Sequence, residues 1–259
     1  MLELNHIYKY YNPGTVHEMC LFEDFGMKID RGDFVSVIGS NGSGKTSLLN
    51  LICGSILPEA GQICMNGKDI TKEKEYRRNQ KIGRVYQNPA FGTCPGMTIL
   101  ENMAIADHKG KRYGFARGIN KKQISYYREL LSSLRLGLEE KLETKVGALS
   151  GGQRQTMALL MATMTPVDLL ILDEHTAALD PKTAERIMEL TDEIVKKKQL
   201  TAIMVTHNLR YAVEYGNRLL MMHQGEIIMD RSGKEKQQTS VEEILKLFNE
   251  ISIECGKLK

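Results

Sequence analysis

An α/β fold with a mainly parallel sheet, an N-terminal antiparallel β subdomain and an inserted α-helical subdomain follows from three features of this 259-residue chain. Short, largely apolar runs at Phe34 to Ile38 (FVSVI), Val167 to Leu172 (VDLLIL) and Thr201 to Val205 (TAIMV) have the length and content of strands buried on both faces. Segments with helical starts and stops lie around them, the alternation that a parallel sheet with crossover helices requires. From about residue 88 to 149 this alternation gives way to helical spacing alone, which marks the insert.

Taken in order, residues 1 to about 30 alternate loosely around the turn Asn12-Pro13-Gly14 and predict antiparallel strands. The run FVSVI leads straight into GSNGSGKT, after which Thr46 to Cys53 reads as a helix with Gly54 at its C-cap. Residues 61–67 (GQICMNG) read as a strand and tight turn. In the insert, Asn120 is placed to cap a helix carrying Ile124, Tyr127, Leu131 and Leu134 on one face. Asp180 and Pro181 open a helix that runs to about Lys198. Its closing lysines, Lys196 to Lys198, suit the negative helix pole and read as a solvated end. After Ser232 a short polar tail is expected, turning helical around Val241 to Phe248. The expected organisation is one domain: a core from residues 1–87 and 150–232, a helical subdomain at 88–149, and a short tail at 233–259.

Composition excludes several classes. A chain of this length buries roughly three quarters of its unfolded surface without staples. The five cysteines are scattered, with no CxxC pair, the pattern of reduced thiols rather than of disulfides or a zinc site. No run approaches the ~18 apolar residues of a membrane span, and the N-terminus lacks the apolar core of a signal peptide. A cytosolic protein is expected, with any membrane association made through a partner. A net charge of +3 is too mild to argue for nucleic acid.

The chemistry lies in two segments. Gly39, Ser40, Asn41, Gly42, Ser43, Gly44, Lys45 and Thr46, followed by Ser47, satisfy G-x-x-x-x-G-K-[ST] between a strand and a helix. Glycines let successive N–H groups converge on a phosphate, Lys45 reaches the β/γ-phosphates, and the Thr46 hydroxyl suits Mg²⁺. The loop alone says only that a nucleotide binds; a P-loop NTPase core is the expectation once the second segment is added. The second segment, ILDEHTAALD (171–180), ends a buried strand in two carboxylates and an imidazole, a costly arrangement unless the charges are paired. Asp173 at the strand tip can share the Mg²⁺ with Thr46, so that the metal and the triphosphate compensate its charge. Glu174 would then point past the metal to an attacking water. A further helix start, LSGGQRQ (149–155), has Ser150 as cap and Gln153 at N3, with Gly151 and Gly152 leaving the first N–H groups bare. Two phosphate-binding helix starts in one chain are most simply reconciled if they face each other across two chains.

With those residues in place, the sequence resembles the ATPase subunits of ABC transporters over nearly its full length. GSNGSGKT resembles the Walker A loop, LLILDE (169–174) the Walker B strand and its glutamate, LSGGQ the signature, and the segment from Ala177 to Asp180 the loop that crosses the dimer interface. The resemblance implies that Gln87 in RVYQNP is the Q-loop glutamine, near the metal and γ-phosphate, and that His207 in IMVTHN is the switch histidine. It also implies that Tyr11, with Tyr10 as the register alternative, stacks on adenine. Catalytic roles thus fall to Glu174, His207 and Gln87, metal contacts to Thr46, Gln87 and Asp173. Nucleotide contacts fall to Tyr11, residues 39–47, Ser150, Gly151, Gly152, Gln153 and Asp180. His175 stands where the family often has proline and is read as structural.

The implied cofactors are ATP and Mg²⁺. The implied partners are a membrane permease, a second copy or similar ATPase in an ATP-dependent dimer, and a solute-binding protein. The expected location is the inner face of the cell membrane. DEHTAALDP is similar to ATPases of solute uptake, with amino acids the candidate solute; an extrusion or lipoprotein-release system is the alternative. A GTP switch is excluded by LSGGQ and by the lack of an N-K-x-D reader after residue 205. A nucleic-acid ATPase is disfavoured because the long coiled coils, zinc cysteines or second cassette of that class are missing. The basic stretch at 108–122 reads as a solvated loop, with anionic lipid or the permease as the next candidate contact.

Overall fold

The computed structural model describes residues 1–111 and 118–257. Along the chain come β1 (Leu2–Tyr11), β2 (Met19–Ile29), β3 (Phe34–Gly39), α1 (Lys45–Cys53), β4 (Ala60–Met65), β5 (Lys68–Asp69), α2 (Glu75–Arg78) and β6 (Ile82–Val85). Then follow α3 (Ile99–Asp107), α4 (Ile124–Ser132), α5 (Gly151–Thr163), β7 (Leu169–Asp173), α6 (Pro181–Lys198) and β8 (Thr201–Val205). The chain closes with α7 (Leu209–Glu214), β9 (Arg218–His223), β10 (Glu226–Ser232), α8 (Gly233–Gln238) and α9 (Val241–Lys257).

Two sheets carry the site. The first is antiparallel, in the order β2-β1-β4-β5; the second runs β10-β9-β3-β8-β7-β6, parallel except for β10. Every residue of β3 and β8 is buried, because helices and the first sheet cover both faces of the second. One apolar cluster fuses the two sheets through α1: Leu4, Ile7, Phe22 and Ile63 of the first meet Leu48, Leu49 and Ile52, which in turn meet Val37, Ile171 and Ile203. The P-loop is therefore held from both sides. The strand ending in Asp173 begins at Leu169, two residues later than VDLLIL suggests, and the main-chain N–H of Asp168 bonds Lys81 O at 2.7 Å.

The inserted helices have a core of their own. Ile99, Met103, Tyr127, Leu131 and Val146 pack together with Met157 and Leu160 of α5. Helix α5 thus serves both bodies, since its Ala158 and Leu159 face the sheet residues Leu170 and Leu172. Asn120 caps a single 3₁₀ turn before α4, its side chain accepting from Lys122 N at 3.1 Å. Leu134 is buried as its spacing predicts, yet lies beyond the helix end at Ser132.

Two expectations need correction. The polar segment after Ser232 is helical: Lys236, 3% exposed, turns its ammonium onto the carbonyls of Val213 and Tyr215 at the end of α7. Helix α9 then lays Ile244, Leu247 and Phe248 against Ile38 and Met221. The end of α6 is not wholly solvated either, because the Lys198 ammonium donates to Thr163 O at 2.5 Å and so joins α6 to the last turn of α5.

Candidate nucleotide site

The P-loop connects β3 to α1. Gly44, the N-cap of α1, has φ +102°, and a Cβ there would lie 3.0 Å from the Phe22 ring. No side chain caps this helix and its first turn holds no acid, so its opening N–H groups point into the loop unclaimed. Lys45 is 6% exposed, and its ammonium donates to Gly39 O and Ser40 O, both at 2.8 Å. Burial lowers the Lys45 pKa from its ordinary value, and the Glu174 carboxylate partly offsets that effect.

A cleft of about 360 Å³ opens over this loop, lined by residues 41–47, Tyr11, Met19, Leu21, Glu174 and His207. Tyr11 reaches the helix from β1, its hydroxyl 2.9 Å from Ser47 Oγ. Tyr10 faces Cys20 instead and lies outside the lining. Glu174 follows the buried strand with φ +47°, a conformation that costs a non-glycine residue free energy and is held here by its N–H bond to Val205 O at 2.9 Å. This turn carries the carboxylate out of the sheet, where Oε1 meets His207 Nε2 at 2.8 Å. His207 in turn follows β8, anchored by Thr206 N to Val37 O at 3.2 Å. The pair also lines an adjoining cleft of about 400 Å³, with Thr176, Ala177 and Leu179 on its other wall.

The sequence-predicted residues do not all converge within one chain. Gln87 lies just past β6, exposed, and does not line the P-loop cleft. Its segment is tied to α5, because Gln155 Nε2 donates to Tyr86 O at 3.0 Å. Ser150 and Gln153 form a reciprocal capping box at the start of α5, and they too stand outside that cleft. Asp180 caps α6, its Oδ1 accepting from Thr183 N at 3.0 Å. His175 is buried and neutral, its Nε2–H directed at Thr191 Oγ1 at 3.2 Å, because that hydroxyl already donates to Ile187 O. Burial pushes its pKa down to about 4.

Two participants escaped the sequence reading. Asp173 has a counter-charge within the protein: Arg84 Nη2 donates to its Oδ2 at 2.8 Å. The signal was a lone arginine in the strand IGRV. Gly225, in the turn joining β9 to β10, donates to Ser43 O at 3.1 Å and buttresses the P-loop.

For Mg²⁺, the hydroxyl of Thr46 and the carboxylate of Asp173 are hard oxygen donors of the right kind. Among the described residues no group of three or more His, Cys, Asp or Glu could hold a metal, so a cation here would draw its remaining ligands from phosphates and water. The donor set fits.

A nucleotide-hydrolysing P-loop protein is the class that this fold and this cleft define. The ABC transporter family profile matches residues 22–177. Over 248 residues the chain is 45% identical to a tyrosine transport ATP-binding protein of Clostridioides difficile, covering 96% of this chain and 98% of that one. It is 33% identical over 234 residues to methionine import ATP-binding protein MetN 1 of Bacillus thuringiensis, covering 88% of this chain and 65% of the relative. Among solved structures, a dimeric ATP-binding cassette in a post-hydrolysis state with ADP and Pi superposes with TM-score 0.76 at 28% identity, covering 90% of this chain and 98% of that one. The chain belongs to the ABC transporter family and is an ATPase whose hydrolysis of ATP powers transport. Among the described residues no helix is long and apolar enough to cross a membrane.

Proposed function

We propose that two copies of this chain sandwich ATP and drive uptake of an amino acid through a separate membrane permease. The observation that carries the chemistry is the Glu174–His207 pair, 2.8 Å apart on the wall of the P-loop cleft. Tyr11 would receive the adenine face, while Lys45 and the bare N–H groups of α1 take the β- and γ-phosphates. Thr46, Asp173 and Gln87 would hold Mg²⁺, which would supply charge neutralisation at those phosphates. Glu174 accepts a proton from the water that attacks the γ-phosphorus, and the bond to the ADP oxygen breaks as the new P–O bond forms. His207 orients Glu174 and faces the γ-phosphate.

The signature start supports the dimer. Ser150 and Gln153 close their capping box outside their own chain's cleft, which leaves the N–H groups of Gly151 and Gly152 available to the γ-phosphate held by a second copy. Asp180 lies in the loop between the two sites. Loss of phosphate would separate the copies, and that movement would reach the permease through the Gln87 segment.

Uptake of an amino acid is supported by the transport names of the two relatives, and by the chain's coverage of nearly all of the first. A solute-binding protein and a location at the inner face of the membrane follow from this reading. The test is Glu174→Gln in the reconstituted transporter. Mg-ATP binding should persist while hydrolysis and uptake fall at least about a hundredfold, the scale of a lost general base. Hydrolysis at the parent rate would refute the assignment.

A further inference from the structure

The Walker B carboxylate is not free within the chain. Arg84 projects from the edge strand β6 beside β7, Nη2 on Asp173 Oδ2 at 2.8 Å and Nη1 on Asn50 Oδ1 at 3.0 Å. Its guanidinium also stacks 4.7 Å above the Tyr86 ring, one residue before Gln87. Asn50 stands one helical turn beyond Thr46 on α1, on the same face. One cation therefore ties together the three segments that carry Thr46, Asp173 and Gln87. The Arg84 and Asp173 side chains are only 10% and 15% exposed, so water screens the pair weakly. Arg84 Nε is buried without a hydrogen-bond partner, which indicates that the guanidinium is placed for Asp173 and Asn50 at some cost to itself.

We propose that Arg84 is a built-in counter-cation that competes with the divalent metal for Asp173 and so sets how much Mg²⁺ the ATPase requires. The inference rests on the reading of Asp173 as a metal contact. A carboxylate with one oxygen committed to a guanidinium carries less uncompensated charge toward a cation, and the guanidinium repels that cation directly. Metal affinity is lowered in consequence. The same neutralisation lets the site accept a nucleotide with no metal, because Asp173 then repels the phosphates less.

The test measures binding of fluorescent N-methylanthraniloyl-ATP to the purified chain, as a function of free Mg²⁺ and in EDTA. In Arg84→Gln the Mg²⁺ midpoint should fall about tenfold, the scale of one charge removed beside a divalent ion, while affinity in EDTA weakens. Arg84→Lys retains the charge and should stay within about threefold of the parent midpoint; a fall of about tenfold in Arg84→Lys as well would overturn the inference. In an Asp173→Asn background the effect of Arg84→Gln should shrink to the part due to direct repulsion, a coupling that a merely structural arginine would not produce. An unchanged or raised midpoint in Arg84→Gln, with the parent itself Mg²⁺-dependent, overturns this inference and leaves the metal site standing. A parent whose nucleotide affinity ignores Mg²⁺ overturns both.

Discussion

Arg78 is 1% exposed, and all four of its hydrogen bonds go to main-chain carbonyls. Nη1 donates to Leu51 O at 2.7 Å and Ile52 O at 3.1 Å, Nη2 to Thr71 O at 2.7 Å, and Nε to Glu73 O at 3.0 Å. The first two acceptors belong to the last turn of α1, so this cation neutralises the negative pole of the helix whose other end holds the P-loop. Arg78→Met keeps much of the volume and removes every donor. Each hydrogen bond to a charged group is worth about 1.5–3 kcal/mol net of the water it replaces, but four bonds made by one guanidinium do not add independently. The net loss should be about 3–5 kcal/mol, the cost of removing one side of a buried charged network. At about 2–4 °C per kcal/mol for a chain of this size, thermal unfolding followed by circular dichroism should move down by about 10 °C. A drop under about 2 °C would mean that water or a main-chain shift replaces the guanidinium, and the argument from its burial would fail.

Two further outcomes follow. Below its ordinary pKa of 6.5, the unfolded chain protonates His175 while the folded chain resists down to about 4. The stabilisation is thus full above pH 6.5 and is lost as pH falls toward 4, by up to about 3 kcal/mol. His175→Gln should flatten the fall in melting temperature between pH 7 and 5; equal slopes in the two proteins would sink the reading. Gly225 has φ +83°, and a Cβ there would stand 1.6 Å from Leu21 O. Gly225→Ala should therefore shift the turn that supports Ser43 and weaken nucleotide binding about tenfold, the scale of 1–3 kcal/mol of backbone strain, in a protein that still folds. Unaltered affinity would show that the turn does not position the P-loop.

What was legible in the sequence was local. Gly54 at the end of α1, the Asp180–Pro181 start of α6 and the Ser150–Gln153 capping box are each decided within a few residues, and each appears in the structure. The buried strands were legible because a largely apolar run of five or six residues has few other uses. Pairings across the chain were not. Arg84 and Asp173 are 89 residues apart, and only the alignment of β6 with β7 makes them neighbours. Helix α8 was hidden because GKEKQQ shows no apolar face. It is held instead by buried Lys236 on the carbonyls at the end of α7. Glu174 and His207 were named separately from their motifs; their contact needed the left-handed turn after Asp173.

The central claim is that each copy completes its neighbour's nucleotide site, and mass in solution tests it most directly. With Mg-ATP at saturation, the Glu174→Gln chain measured by light scattering after size exclusion should double from one chain to two, and Ser150→Arg in the same background should prevent the doubling. A single-chain mass with nucleotide demonstrably bound would contradict the claim.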